Sequence, residues 1–171
     1  WYTAQAISSP TNWFVLVDDI NTKVMIYYWD IDQWMPLYIF DCSTGAWSMR
    51  TVHGTFSVGM KGYAFGYGHG YTAYYYTQIY GDYLFHSILY NEGTWIPLDP
   101  VLNSHRSHGC VRLAPENAKW IYDNCPLGTT VKIYNASSLP VPKPSAPWLD
   151  ITSPNRGWDP TDPDPANPWR Q

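Results

Sequence analysis

Two apolar runs, Trp13-Phe-Val-Leu-Val17 and Thr22-Lys-Val-Met-Ile-Tyr-Tyr-Trp29, flank the polar stretch Asp18-Asp19-Ile20-Asn21. β-Branched and aromatic residues on either side of a short polar turn predict a β-hairpin. In the second run Lys23, Met25 and Tyr27 alternate with Val24, Ile26 and Tyr28. Both alternating sets are mostly apolar, which predicts a strand covered on both faces. Asp30-Ile-Asp-Gln33 then turns the chain into a further strand, Met35 to Phe40. Gly54 to Val58 and the Tyr- and Thr-rich run from Ala73 to Ile88 predict more strands. One helix is expected, with Pro115 at its first position and Ala118, Ile121 and Tyr122 on one face. Asn124-Cys125-Pro126 stops it, and Gly128 leads into a closing strand, Thr130 to Tyr134. The expected class is mainly β, as a β-sandwich or mixed sheets, with one late α-helix and no internal repeat.

The pattern changes near Leu139. Nine of the fifteen prolines lie from Pro140 onward, and proline neither donates to a sheet nor continues a helix. This stretch reads as an extended tail, whose Trp148, Trp158 and Trp169 are expected to dock on the domain or on a partner. The resulting division is a lead-in over 1–12, a folded domain over 13–138 and a proline-rich tail over 139–171.

Composition narrows the function classes. Among 171 residues, 14 are acidic and 10 basic, for a net charge of −4, and aromatics make up 18 %. A chain this aromatic and weakly charged is not disordered overall. It has no block of Lys or Arg to neutralise a line of phosphates, so no nucleic-acid partner is expected. The longest uncharged run, 62–81, contains five Gly and seven Tyr and is too polar for a spanning helix. Within it, Gly66-Tyr-Gly-His-Gly70 lacks the Lys-Ser/Thr and the strand-to-helix setting of a phosphate loop, and is expected to be a mobile aromatic flap. The chain opens at Trp1 without an apolar leader, as a trimmed or mature fragment is expected to.

Three cysteines, Cys42, Cys110 and Cys125, form no Cys-x-x-Cys pair. The odd count predicts one bridge and one reactive thiol. Cys42 at a strand end and Cys125 just after the helix are the expected disulfide, leaving Cys110 free. Cys110 lies in the densest chemical cluster of the chain, Ser104-His-Arg-Ser-His-Gly-Cys-Val-Arg112. A cysteine attacks as thiolate, so it needs a base or nearby positive charge, and N–H groups for the oxyanion that forms. Gly109 permits a tight turn there, Arg112 brings positive charge, and His108 is adjacent. A second histidine, His86, ends the run Tyr83-Leu-Phe-His86, where a strand holds a base rigidly. His53, His69 and His105 lack the spacing of zinc ligands.

Phe85-His86-Ser87 followed by Ser107-His-Gly-Cys-Val-Arg112 resembles the signature of the L,D-transpeptidase (YkuD-type) catalytic domain. Cys42-Ser-Thr-Gly45 is similar to its Ser-Thr-Gly strand end, and Thr51 to Phe56 to its Thr-Pro-x-Gly-x-Phe segment. Ala118 to Tyr122 and Gly128 to Ile133 resemble its helix and last strand. Two departures stand out: Val52-His53 replaces the usual proline, and the stretch from His86 to Ser107 is longer than in compact members. The first is expected to touch only a turn, and the second to alter the loop over the site.

The resemblance implies specific roles. Cys110 is the nucleophile, His86 the general acid/base, and Ser87 orients His86 through its backbone carbonyl. The Gly109 and Cys110 N–H groups form the oxyanion hole, shaped by Ser107, His108 and Arg112. The implied substrate is the peptidoglycan stem tetrapeptide, held as a thioester and passed to a second stem as a 3→3 cross-link. No metal or organic cofactor is implied. Carbapenem-type β-lactams are the implied inhibitors, and an extracytoplasmic, cell-wall location is the implied setting. Two other readings stay open: an L,D-carboxypeptidase using the same thioester with water as acceptor, and a wall-binding module with an incidental cysteine. Papain-like enzymes are disfavoured because His86 precedes Cys110, and active-site-serine transpeptidases because no Ser-x-x-Lys occurs.

Overall fold

Trp13–Asp18 (β1) and Lys23–Asp30 (β2) pair antiparallel with Val15 opposite Ile26, the hairpin that the apolar runs predict. The computed structural model describes residues 7–135 and Ala166. The proline-rich stretch, its tryptophans and the domain bounds drawn at 138 and 139 lie outside the described residues.

After a turn at Ile31 and Asp32 the chain returns as Gln33–Gly45 (β3), longer than expected because its pairing with β2 continues past the bulge at Ile26/Tyr27. Gly54–Ser57 (β4) follows, then Lys61–Phe65 (β5), Tyr71–Tyr80 (β6), Tyr83–Ser87 (β7), Leu89–Asn91 (β8) and Pro97–Asp99 (β9). Ser104–Ser107 (β10) and Val111–Leu113 (β11) precede the helix Pro115–Asn124 (α1), and Thr130–Tyr134 (β12) closes the fold. The strands share one mixed sheet in the order β4-β12-β1-β2-β3-β11-β7-β6-β8-β9, with β10 on β3 and β5 on β6.

Both faces of the β1–β2 hairpin are covered, as its two apolar sets require. Val15, Val17, Val24 and Ile26 join Phe85, Val111, Leu113 and Ile133 in the main core, against Ala118 and Ile121 of α1. Phe14, Leu16, Met25, Tyr27 and Trp34 form a second cluster. Each such fully buried apolar side chain contributes about 1.5–3 kcal/mol relative to exposure. The segment between His86 and Ser107 is held by stacking: Tyr74 and Trp95 lie 3.9 Å apart and 12° from parallel, and Tyr90 meets the edge of Trp95.

The cysteines depart from expectation: Cys42, Cys110 and Cys125 are all free. Cys42 and Cys125 are both buried in the main core, where they pack as small apolar groups. Burial pushes the Cys42 thiol well up and, opposed by Lys61, the Cys125 thiol up to about 12.

A buried ion pair braces the strand beside the site. Lys23 of β2 is fully buried, and its Nζ donates to the Asp41 carboxylate of β3 and to Asn103 Oδ1 at 2.7 Å. Two tests follow. Native protein treated with a thiol reagent should be alkylated at Cys110 alone, and denatured protein without reductant at all three cysteines, by peptide mass spectrometry. Lys23→Met should lower unfolding free energy by about 3–5 kcal/mol in a denaturant titration, because it leaves the Asp41 charge buried without a partner.

Candidate active site

The loop between β10 and β11 carries Cys110 and is closed by hydrogen bonds from two hydroxyls. Ser107 Oγ donates to the Cys110 carbonyl at 2.6 Å and accepts the Gly109 N–H at 3.0 Å. Thr51 Oγ1 donates to the Gly109 carbonyl at 2.8 Å and accepts the Gly45 N–H at 2.9 Å, so it ties the loop to the end of β3. Gly109 has φ +120°, and a Cβ there would come within 2.7 Å of the Tyr83 ring. Only glycine suits that position. Its N–H is committed to Ser107, so the expected oxyanion donor is already in use. The Cys110 N–H has no acceptor among the described residues and is the donor that remains. His108 is exposed and makes no hydrogen bond with the described residues.

His86 ends up beside this loop through strand register. β11 runs parallel to β7 with Arg112 opposite His86 and Val111 opposite Phe85. Pleat alternation puts Arg112 and His86 on one face, while Phe85 and Val111 enter the core, and Cys110 ends the loop that leads directly into β11. The His86 ring is buried, and the Phe65 ring packs nearly perpendicular to it with centroids 5.1 Å apart. Its Nδ1 lies 2.6 Å from the Ser87 carbonyl. Nδ1–H therefore donates to that carbonyl, and Nε2 keeps its lone pair. The Ser87 hydroxyl faces away, donating to the Ile88 carbonyl at 2.6 Å and accepting the Tyr74 N–H at 2.9 Å.

No hydrogen bond joins His86 to Cys110 among the described residues. The thiol instead donates to the Asp82 carbonyl at 3.4 Å. Burial raises the Cys110 pKa, opposed by the Leu84 N–H and the Arg112 charge. Burial also depresses the His86 pKa to about 4; the Ser87 carbonyl opposes the shift and Arg112 adds to it. At neutral pH the resting pair is a neutral thiol and a neutral imidazole.

Arg112 itself is buried, and its Nη1 donates to Asp99 Oδ2 at 2.7 Å. Asp99, Phe65, Asp82 and Thr51 all touch the site, and of these only Thr51 and Phe65 fall within stretches the sequence singles out. The other histidines lie elsewhere. His53 Nε2 sits 2.8 Å from Asp19 Oδ2, so the Val52-His53 replacement reaches across to the β1–β2 turn and pairs with a buried carboxylate. His105 Nδ1 bonds Thr44 Oγ1 at 2.9 Å, and His69 lies at the tip of the β5–β6 hairpin.

That hairpin is the glycine-rich segment expected to act as an aromatic flap. It brings Phe65 to His86, and the tip is held from outside: Glu92 Oε1 accepts the Gly68 N–H at 2.6 Å and Oε2 the Gly70 N–H at 3.0 Å. These two bonds depress the exposed Glu92 carboxyl below its ordinary value. A depressed folded-state pKa means that the tether is present above the ordinary carboxylate range and lost as pH falls through the lowered value. Protection factors of the Gly68 and Gly70 amides, measured by hydrogen exchange, should therefore fall in acid, and Glu92→Gln should lower them at neutral pH and make no difference once Glu92 is protonated.

The family profile described as the L,D-transpeptidase catalytic domain (YkuD) matches residues 13–133. Among solved structures, a fused Zn-dependent amidase/peptidase/peptidoglycan-binding domain-containing protein from Clostridium acetobutylicum is 39 % identical with a TM-score of 0.65, covering 78 % of this chain and 57 % of its own. An L,D-transpeptidase from Stackebrandtia nassauensis is 19 % identical with a TM-score of 0.58, covering 77 % and 60 %. L,D-transpeptidase 3 from Mycobacterium tuberculosis, solved with a faropenem-derived adduct, is 19 % identical with a TM-score of 0.55, covering 71 % and 60 %. The last two share the fold, and the chain spans about three-fifths of the length of each protein. No curated protein matches. The profile spans β1 to β12 and includes both His86 and Cys110, and the chain belongs to the family of the L,D-transpeptidase catalytic domain.

Proposed function

We propose that the domain is a peptidoglycan L,D-transpeptidase that forms 3→3 cross-links through a thioester on Cys110. The observation that supports this reading is the β7–β11 register, in which buried His86 lies opposite Arg112, two residues after Cys110. The donor is a stem tetrapeptide. As Sγ attacks the carbonyl between its third residue and the terminal D-residue, the thiol proton leaves the Asp82 carbonyl and passes to His86 Nε2. The oxyanion takes the Cys110 N–H. Collapse breaks the C–N bond, and the imidazolium returns its proton to the departing D-residue amine. A side-chain amine of a second stem then attacks the thioester, giving up a proton through His86 to the cysteine sulfur as the C–S bond breaks.

Each feature of the site has a place in that cycle. The Ser87 carbonyl holds the tautomer with Nε2 free. Burial keeps His86 unprotonated and ready to accept a proton. The Arg112 charge favours the thiolate and the oxyanion. A β-lactam carbonyl would meet the same nucleophile, so carbapenem-type compounds are expected to acylate Cys110. An extracytoplasmic setting belongs to this proposal, because cross-linked stems lie there.

The experiment uses a disaccharide-tetrapeptide with and without an acceptor stem, followed by mass spectrometry. Loss of the D-residue with dimer formation is expected; loss with tripeptide alone would make the enzyme an L,D-carboxypeptidase. Cys110→Ser should abolish turnover, and His86→Ala should slow it by roughly 10²–10⁴. A Cys110→Ser protein that releases the D-residue at the wild-type rate overturns the proposal. Because His86 stays neutral down to about 4, kcat/KM should hold through pH 6.5 and fall only near that value. Stability should decline over the same interval. As pH falls from 6.5 towards 4, the unfolded chain binds a proton at this residue that the native state does not.

A further inference from the structure

Arg112 is a buried cation whose counter-charge comes from a distant part of the chain. Its residue is 8 % exposed, and its Nη1 donates to Asp99 Oδ2 at 2.7 Å. The same oxygen accepts Arg106 Nε at 3.0 Å. Asp99 ends β9, which pairs with β8 on the excursion between His86 and Ser107. A guanidinium stays charged at every accessible pH, so burying one requires a hydrogen-bonded anion. No other carboxylate pairs with Arg112 among the described residues, and its Nε is buried without an acceptor there. Asp99 is therefore its single anchor among the described residues. Two guanidiniums sharing one carboxylate also leave the cluster with one net positive charge.

We propose that Asp99 is a positioning residue for the transfer reaction: it anchors the Arg112 guanidinium on the face of β11 that meets His86, two residues after Cys110, keeping one net positive charge beside the nucleophile. The inference rests on Cys110 being that nucleophile. Without the anchor, a lone buried guanidinium moves towards water, and its charge leaves the sulfur. The developing thiolate and oxyanion then lose their nearest cation, although neither reacting side chain has changed. Arg106 matters for a second reason. By sharing the carboxylate it stops Asp99 from cancelling the charge of Arg112.

The test reads thiol chemistry and needs no peptide substrate, so its failure is separable from failure of the transpeptidase reading. Rates of iodoacetamide alkylation at Cys110 are measured from pH 5 to pH 10 by peptide mass spectrometry on the full chain. In Asp99→Asn the apparent thiol pKa should rise by about 1, and alkylation at neutral pH should slow about tenfold. Asp99→Glu, which restores a carboxylate, should recover most of the difference. The competing outcome has the opposite sign. If Asp99 acts only as a nearby negative charge and Arg112 stays in place without it, removing it lowers the thiol pKa and speeds alkylation. Either that result or an unchanged profile in a folded Asp99→Asn protein overturns the proposal. Should Asp99→Asn not fold, Arg106→Gln tests the same arrangement. It leaves the Arg112–Asp99 bond but cancels the net charge, and must raise the thiol pKa by a smaller amount. An unchanged thiol in that variant also overturns it.

Discussion

Three residues, Val111 to Leu113, hold the site together by pairing on both sides at once. β11 is parallel to β7 and antiparallel to β3, and Arg112 is opposite His86 on one edge and Ser43 on the other. A strand so short has little intrinsic stability; it persists because Val111 and Leu113 are fully buried in the main core. A slip of one residue would send Arg112 into that core and turn Val111 towards the site. Catalytic geometry and core packing are thus the same constraint, set by apolar and polar residues alternating along one segment.

Burial then decides the chemistry of the two central groups. The surroundings that push the Cys110 thiol up push the His86 imidazole down, so both rest uncharged. In the proposed reaction, transfer of the proton between them creates charge beside a buried imidazole. The protein answers with fixed groups: the Leu84 N–H at the sulfur, the Ser87 carbonyl at Nδ1 and the Arg112 cation. The aromatic richness of the chain serves this arrangement, since Phe65 covers His86 and the Tyr74–Trp95 stack holds the excursion on which Asp99 sits.

Polar side chains close the cysteine loop without a covalent link. Ser107 and Thr51 each accept one backbone N–H and donate to one carbonyl of the loop or its neighbour. Cys42 serves as core, and its backbone carbonyl accepts the Asn103 N–H at 2.8 Å.

What the sequence by itself determined is everything that repeats with a local period or depends on one residue's covalent shape. The β1–β2 hairpin, the closing strand and the helix with Pro115 at its start follow from alternation, turn residues and capping. The proposed nucleophile and base stand out because His86-Ser87 and Ser107 to Arg112 are contiguous stretches with dense chemistry. β5 and β8 to β11 escaped that reading, because glycine-rich or three- and four-residue segments carry too little periodicity to register. Tertiary structure alone decided which cysteines are core, that Gly109 spends its N–H on Ser107, and that the thiol rests on Asp82. It also decided that Asp99, thirteen residues before Arg112, becomes its counter-ion. These outcomes depend on desolvation and on directional hydrogen bonds between distant segments, and neither quantity exists until the chain has folded.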